Sequence, residues 1–385
     1  MIKRIILFFL LRSIYYLLIF IHPIKKIKVG RIYTSRIGHI AFNIDNYIHH
    51  VNKKGNKEIT CFGIDDIIVN KELLVLFKKN KNIYFSRIFY YMFEHIRCIN
   101  RNSKLLVKYY PELHTNKSLL FKSKTNLNFT KNFIAESKKV IKKIGLSNNF
   151  ITLHHRDNKY RLMRDQNFHE YRNFSFSVFK KAIIFNKKRI DFIRVGNSSK
   201  ERDLLRITNL YKLEKKIFTK KLELYLISKS KFMVSGNTGF LNVASAFRRP
   251  TLMINTIPFN PEDFIARSQN SIIVPKKIYS IKKKRNLNLV EMINLKVGIH
   301  NKRNFFKDNK LIYIDNTSEE VLNSINEMIL KLKDKKKYYK KYKIISTKFE
   351  KYLIKNNNNE FTFLKNKLSI NISYEFLKKN LFLIR

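Results

Sequence analysis

Four short polar clusters carry the residue types that handle anions and protons. They are Arg36-Ile-Gly-His39, His154-His-Arg-Asp157, Arg194-Val-Gly196 and Ser235-Gly-Asn-Thr-Gly239. The last is the most informative. Phe232 to Val234 is a short apolar run, of the kind buried in parallel sheets. Ser235, Gly236, Asn237, Thr238 and Gly239 then supply small residues and two glycines, which let a ligand approach the backbone closely. Phe240, Val243, Ala244 and Phe247 recur at helical spacing, Pro250 stops the helix, and Thr251 to Ile254 resumes strand character. A polar turn feeding a helix N-terminus offers unpaired N–H groups and a positive dipole end. The spacing therefore predicts a site for an anion such as a diphosphate, with an ordinary βα connection as the alternative.

Each cluster follows a predicted strand, and in open α/β sheets ligands bind at the carboxyl ends of strands. Arg156 and Arg194 are candidate phosphate ligands, because a guanidinium can grip phosphate oxygens in pairs. A single arginine after a strand is more commonly solvated or salt-bridged; several on one edge favour an anion pocket. His39 is a candidate general base, since an imidazole titrates near neutrality, and Asp157 is a second candidate. Tyr160, His169, Tyr171, Arg172 and Asn173, together with His154, have the polar aromatic character that suits a sugar or base. A packed surface loop would show the same composition.

Several chemistries lack their residues. The chain has no G-x-x-x-x-G-K-[ST], no G-x-G-x-x-G, no H-E-x-x-H and no C-x-x-C. It also has no D-x-D to clamp a metal-bound diphosphate. A reaction without a metal or other cofactor is expected, with cationic side chains and helix dipoles in place of the ion.

The elements that must position these residues read as an α/β chain. Its 385 residues suffice for two domains with real cores, and 44% of them are hydrophobic. Strands are predicted around Val29, at Ile59–Phe62 and at Asn82–Phe85, with helices over Ile40–Val51, Lys71–Lys78 and up to Cys98. A loop-rich crossover is expected over residues 100–130, then a helix over Lys131–Ile144 ended by Gly145. The second set has strands at Phe150–Leu153, Ile190–Val195, Phe232–Val234, Thr251–Ile254, Ser271–Val274 and Ile312–Ile314. Helices are predicted over Phe176–Phe185 and Leu222–Ser228. Thr317-Ser-Glu-Glu320 is a capping box that should open a further helix to about Leu332. The alternation predicts two doubly wound, Rossmann-like domains. The expected boundaries are 25–130 and 131–345, with an apolar helix at 1–24 and a basic helical tail at 346–385.

Lys and Arg number 79 against 28 Asp and Glu, a net charge of +51. Such a charge usually points to nucleic acid or an anionic membrane. Here Lys rises together with Asn and Ile and is spread along the whole chain, as in AT-biased coding sequence, so no specific nucleic acid is expected as partner. The two cysteines, Cys61 and Cys98, imply a reducing compartment and no disulfide framework. Ile5 to Ile21 is apolar but interrupted by Arg12 and Ser13, marginal for a membrane span. Lys3, Arg4, Lys25, Lys26 and Lys28 flank it. No small-residue cleavage site follows, so a signal peptide is not expected. A helix lying in the interface of the cytoplasmic leaflet is expected, with a helix packed on the domain as the alternative.

The order of motifs resembles a family of bacterial glycosyltransferases. The residues that carry it are Leu153, His154, Arg156 and Asp157, then His169, Tyr171, Arg172 and Asn173, then Ile193, Arg194 and Gly196. Ser235, Gly236, Thr238 and Gly239 follow, then Phe247 to Pro250, with Arg36 to His39 early and Pro275 to Ser280 late. The resemblance spans about residues 30–332. It implies a two-domain GT-B-like fold and a role in cell-surface polysaccharide or O-antigen synthesis. The implied reaction is metal-independent transfer of a hexosyl or deoxyhexosyl unit from a nucleotide-sugar to a glycan or lipid-linked acceptor. The implied place is the cytoplasm, peripheral to the anionic inner membrane. A polysaccharide pyruvyltransferase-like enzyme is the neighbouring alternative, and a non-enzymatic binder of nucleic acid or anionic membrane the more distant one. His155 departs from the pattern, standing where a small apolar strand residue is expected, and should disturb that strand end.

Overall fold

The structure is a computed structural model. It describes residues 2–53, 58–78, 80, 82–107, 123–156, 171–196, 210–212, 219–257, 270–297, 305–356 and 372–385. Its contacts divide the chain into two units, Met1–Ile134 and Ala135–Arg385.

The first unit opens with helix α1 (Ile2–Ile21), then β1 (Ile27–Ile32), α2 (Ile37–Lys53), β2 (Ile59–Ile64), α3 (Lys71–Lys78), β3 (Ile83–Ser86) and α4 (Arg87–Ile99). Helix α5 (Lys131–Lys143) follows, crosses the unit boundary, and ends at Gly145, whose φ of 72° is left-handed. Strands β1, β2 and β3 pair in that order, all parallel. The other edge of β1 carries a parallel bridge from Val29 to Leu106. Residues 103–107 are thus a short fourth rung, in a segment read from sequence as loop. Gly63 explains how close α4 lies on the sheet: a Cβ there would stand 2.4 Å from the backbone N and Cα of Tyr90. Leu11 and Tyr15 of α1 are buried with Val29, Met92, Phe93, Ile96, Leu105 and Leu106. One stripe of α1 is therefore core.

The second unit is built on a six-stranded parallel sheet. Its strands are β4 (Phe150–His154), β5 (Asp191–Arg194), β6 (Leu210–Lys212), β7 (Met233–Ser235), β8 (Thr251–Thr256) and β9 (Ile272–Pro275). They lie in the order β6-β5-β4-β7-β8-β9. The chain winds one way from β4 to β6, returns across β4, and winds the other way from β7 to β9. This is a doubly wound sheet with its topological switch between β4 and β7. Both strands are buried, as are all six residues of β8, which is why they read as continuous apolar runs.

Helices α6 (Lys180–Phe185, preceded by a 3-10 turn over Phe176–Phe179), α7 (Lys220–Lys229) and α8 (Gly239–Ala246) link these strands. The predicted single helix over Phe176–Phe185 is thus two pieces. Beyond β9 come β10 (Lys277–Ser280), β11 (Arg285–Asn286), α9 (Leu289–Asn294), α10 (Phe305–Asp308) and β12 (Leu311–Ile314). Strands β10, β11 and β12 form a small antiparallel sheet. Helix α11 (Ser318–Lys333) starts at Thr317 with both halves of the capping box made. Helix α12 (Lys335–Lys355) passes residue 345 unbroken and buries Tyr338, Tyr342, Ile345, Phe349 and Tyr352. Helix α13 (Tyr374–Lys379) is pinned by Glu327 of α11, whose carboxylate accepts from the Ser373 hydroxyl and from the N–H groups of Tyr374 and Glu375.

Candidate anion-binding site at the sheet switch point

At the switch, His154 of β4 stands in register with Ser235 of β7. Both strands end there because their chains must diverge, one toward residue 171 and one into α8. The turn that follows β7 is built from inside. The Ser235 hydroxyl lies 3.1 Å from that of Thr238. Thr238 is the residue before α8, but its side chain makes no capping hydrogen bond. The first turn of α8 is thus not closed by a side-chain cap. Gly236 is required by packing: a Cβ there would fall 2.5 Å from the Phe174 ring. Asn237 is 7% exposed, and its Nδ2 is buried without a hydrogen-bond partner among the described residues. A buried amide donor is ordinarily satisfied, so this one points to a missing acceptor. Two further buried polar atoms, Asn255 Nδ2 and Thr256 Oγ1 at the end of the adjacent strand β8, have no partner among the described residues.

The β4 and β5 ends are held by a polar lattice. His154 Nδ1 lies 2.9 Å from the carbonyl of Val195, which puts its proton on Nδ1 and leaves Nε2 as the basic nitrogen. Its ring lies 4.5 Å from that of Phe240, the second residue of α8. Gly196 has a φ of 88°, and a Cβ there would stand 2.5 Å from His154 Nδ1. Only glycine meets both demands. The Gly196 N–H donates to Glu223 in the first turn of α7. Burial pushes the Glu223 carboxyl up to about 7, against the opposing pull of the Gly196 N–H and Lys220.

Arg194, a candidate phosphate ligand in the sequence, is buried at the end of β5. It is 6% exposed, its guanidinium lies 4.3 Å from the Phe176 ring, and it donates to His155 Nδ1 at 3.4 Å. His155 in turn lies edge-on to Phe176 at 5.2 Å. Strand β4 pairs in register through His154 and ends there, one residue before His155, whose imidazole is taken up in this aromatic box. Arg156 is half-buried, and its carbonyl accepts from the Phe174 N–H. Tyr171 and Arg172 stack on each other at 5.5 Å. The Asn173 carbonyl accepts from the buried Lys276 ammonium, which also pairs with Asp315. Burial holds the Lys276 ammonium below its ordinary value, opposed by Asp315.

The second unit therefore brings together His154, Arg156, Arg194, Gly196 and the Ser235–Gly239 turn on one sheet edge. Asp157, Tyr160 and His169 lie outside the described residues. His39 belongs to the first unit. It sits within the first turn of α2, which begins at Ile37, and not in a preceding glycine turn; its Nδ1 lies 3.4 Å from Asn43 Nδ2 and its ring packs on Tyr33. In the same unit, Asp65 accepts from the Thr34 N–H and pairs with Arg31, whose guanidinium lies against the rings of Tyr33 and Tyr90.

Glu223, Asn255, Asn316 and Lys276 carry site geometry that the sequence reading did not assign to them. Asn255 and Asn316 exchange backbone N–H to side-chain Oδ1 bonds at 2.6 Å both ways, which ties the β8 end to the cap of α11. A buried glutamate amid apolar helix residues was the available signal for Glu223.

No protein-family profile matches the chain, and no curated protein matches it. Among solved structures, the chain is similar to a glycosyl transferase family 9 protein from Veillonella parvula DSM 2008. Identity is 10% and the TM-score 0.44, over 80% of this chain and 98% of that one. It is similar to E. coli ADP-heptose lps heptosyltransferase II at 13% identity and a TM-score of 0.42, over 79% and 99%. E. coli heptosyltransferase WaaC with ADP follows at 11% identity and 0.39, over 80% and 99%. At these scores the likeness bears on neither activity nor substrate.

Proposed function

We propose that this chain is a metal-independent, GT-B-like glycosyltransferase acting in bacterial surface-glycan synthesis. The observation that carries the reading is the uncapped α8 N-terminus at the switch point, with the buried Asn237 amide beside it. That combination suits the diphosphate of a nucleotide-activated sugar. The sugar-transfer part of the reading rests on the motif order around His154, Arg194 and Ser235.

In this reading the backbone N–H groups of Gly236 to Gly239 and Asn237 Nδ2 take up charge that develops on the leaving diphosphate. Arg156 adds a cation. Arg194 acts from behind, holding His155 and the β4–β5 edge in place. His154, Tyr171, Arg172 and Asn173 border the sugar or base. The first unit holds the acceptor, with His39 or Asp157 taking the proton of its hydroxyl.

Two measurements test this. A panel of nucleotide-sugars screened for donor hydrolysis in the presence of EDTA should give turnover with one nucleotide class. Full loss on chelation, restored by magnesium or manganese, would refute metal independence. Gly239→Val should weaken nucleoside diphosphate binding while the circular dichroism spectrum stays native. Unchanged affinity would leave the turn a plain βα connection.

A further inference from the structure

Helix α1 has two unlike sides. Leu11 and Tyr15 are buried against α4 and β1, with Leu7, Ile14 and Leu18 packed beside them. The opposite side is apolar too, and uncovered. Ile6, Phe9, Leu10, Tyr16, Leu17 and Phe20 are 51–76% exposed. At about 100° per residue, Phe9, Tyr16 and Phe20 lie within about 40° of the direction opposite Leu11. Ser13 is the polar residue on this face, and its hydroxyl donates to the Phe9 carbonyl within the helix. An apolar face of this breadth is uncommon on a free protein surface and marks an interaction site.

Charge decides among the occupants. The helix has no acidic residue in its sequence. Arg12 falls about 80° to one side of that face, with its guanidinium 5.4 Å from the Tyr16 ring. Lys25 and Lys26 are exposed just past the helix, next to Ile24 at 86% exposure. An apolar face on a helix without acidic residues, with Arg12, Lys25 and Lys26 beside it, complements a lipid surface with anionic headgroups. Among the described residues no helix is long and apolar enough to cross a membrane. Leu11 and Tyr15 are moreover already committed to the core, so the helix is fixed along the first unit. We propose that α1 docks this unit on an anionic membrane, lying in the interface with Phe9, Tyr16 and Phe20 among the acyl chains and Arg12, Lys25 and Lys26 at headgroup level. The inference does not depend on the proposed enzymatic activity.

The test uses the full chain in flotation with phosphatidylcholine vesicles, with and without phosphatidylglycerol. Binding is expected to the mixed vesicles, with at least about a tenfold weaker partition onto phosphatidylcholine alone. Phe9→Ser/Phe20→Ser should lower partition onto mixed vesicles by about tenfold or more. The melting temperature should stay unchanged, since both rings are exposed. Arg12→Gln with Lys25→Gln and Lys26→Gln should reduce the preference for phosphatidylglycerol while leaving the phosphatidylcholine baseline. Three results would overturn the proposal. One is wild-type protein that does not float with mixed vesicles. Another is a double serine variant that floats as well as wild type. The third is a wild-type dimer that the serine variant converts to monomer with vesicle binding equal in both, which would assign the face to a second copy of the chain.

Discussion

Asn237 sets a trade between stability and binding. A buried amide N–H without an acceptor costs about 1–3 kcal/mol, a cost that a bound anion removes. Asn237→Ala should therefore leave the ligand-free protein as stable as wild type or more so in urea denaturation, while nucleoside diphosphate affinity falls. Loss of stability together with unchanged affinity would show that the amide serves the fold. Glu223 predicts a pH dependence. Its ordinary value is 4.5 and burial raises it to about 7, so the folded chain holds this proton more tightly than the unfolded chain. The group's contribution is complete below about 4.5 and is lost as pH rises through about 7. Melting of wild type should fall relative to Glu223→Gln across that window, by up to about 3 kcal/mol of stability. A constant difference between the two proteins from pH 5 to 8 would contradict this. Gly196→Ala combines a left-handed φ of 88° with a Cβ 2.5 Å from His154, and should cost about 2 kcal/mol or more.

At the scale of elements, caps and close approaches carry the argument. The Thr317 hydroxyl accepts from the Glu320 N–H, and the Glu320 carboxylate accepts from the Thr317 N–H. Thr317→Ala should cost about 1 kcal/mol in chemical denaturation. Thr317→Ser should cost much less, because it keeps the acceptor. Gly63 is a harder constraint. Its missing Cβ lets α4 approach β2, and the clashing atoms are backbone. Gly63→Ala must push α4 outward and with it the floor on which α1 rests, so loss of α1 docking in the flotation assay is expected alongside a lower melting temperature.

At the scale of the molecule, the two units differ in how they are completed. The sheet of the second unit has strands on both sides of its switch point; α11 packs on β8 and β9, and α12 and α13 pack in turn on α11 through Glu327 and the tyrosine cluster at Tyr338, Tyr342 and Tyr374. Glu327 is deeply buried, and burial raises its carboxyl even though Ser373, Glu375, Tyr374 and Tyr338 all donate to it. Glu327→Ala would leave those donors unsatisfied, so it should release the 372–385 segment to proteolysis. Glu327→Gln, which keeps an acceptor, should protect it better.

Local pattern was enough to read the buried strands that form continuous apolar runs. Phe150–His154, Met233–Ser235 and Thr251–Thr256 are runs apolar enough to be buried on both faces, and Gly145, Pro250 and the Thr317 box mark helix ends through backbone chemistry that acts within a few residues. The Ser235–Gly239 turn was legible for the same reason. Strands β6, β10 and β11 and the short pairing at Leu106 were not, since their few residues mix polar with apolar and form no continuous apolar run. The tertiary structure alone decided that β4 lies beside β7, and so that His154 meets Ser235. It alone turned Arg194 into a buried partner of His155 and made Glu223 a ligand of the Gly196 N–H. Sheet order is set by backbone hydrogen bonds and packing between distant segments, and no local spacing of side chains records which strand will be the neighbour.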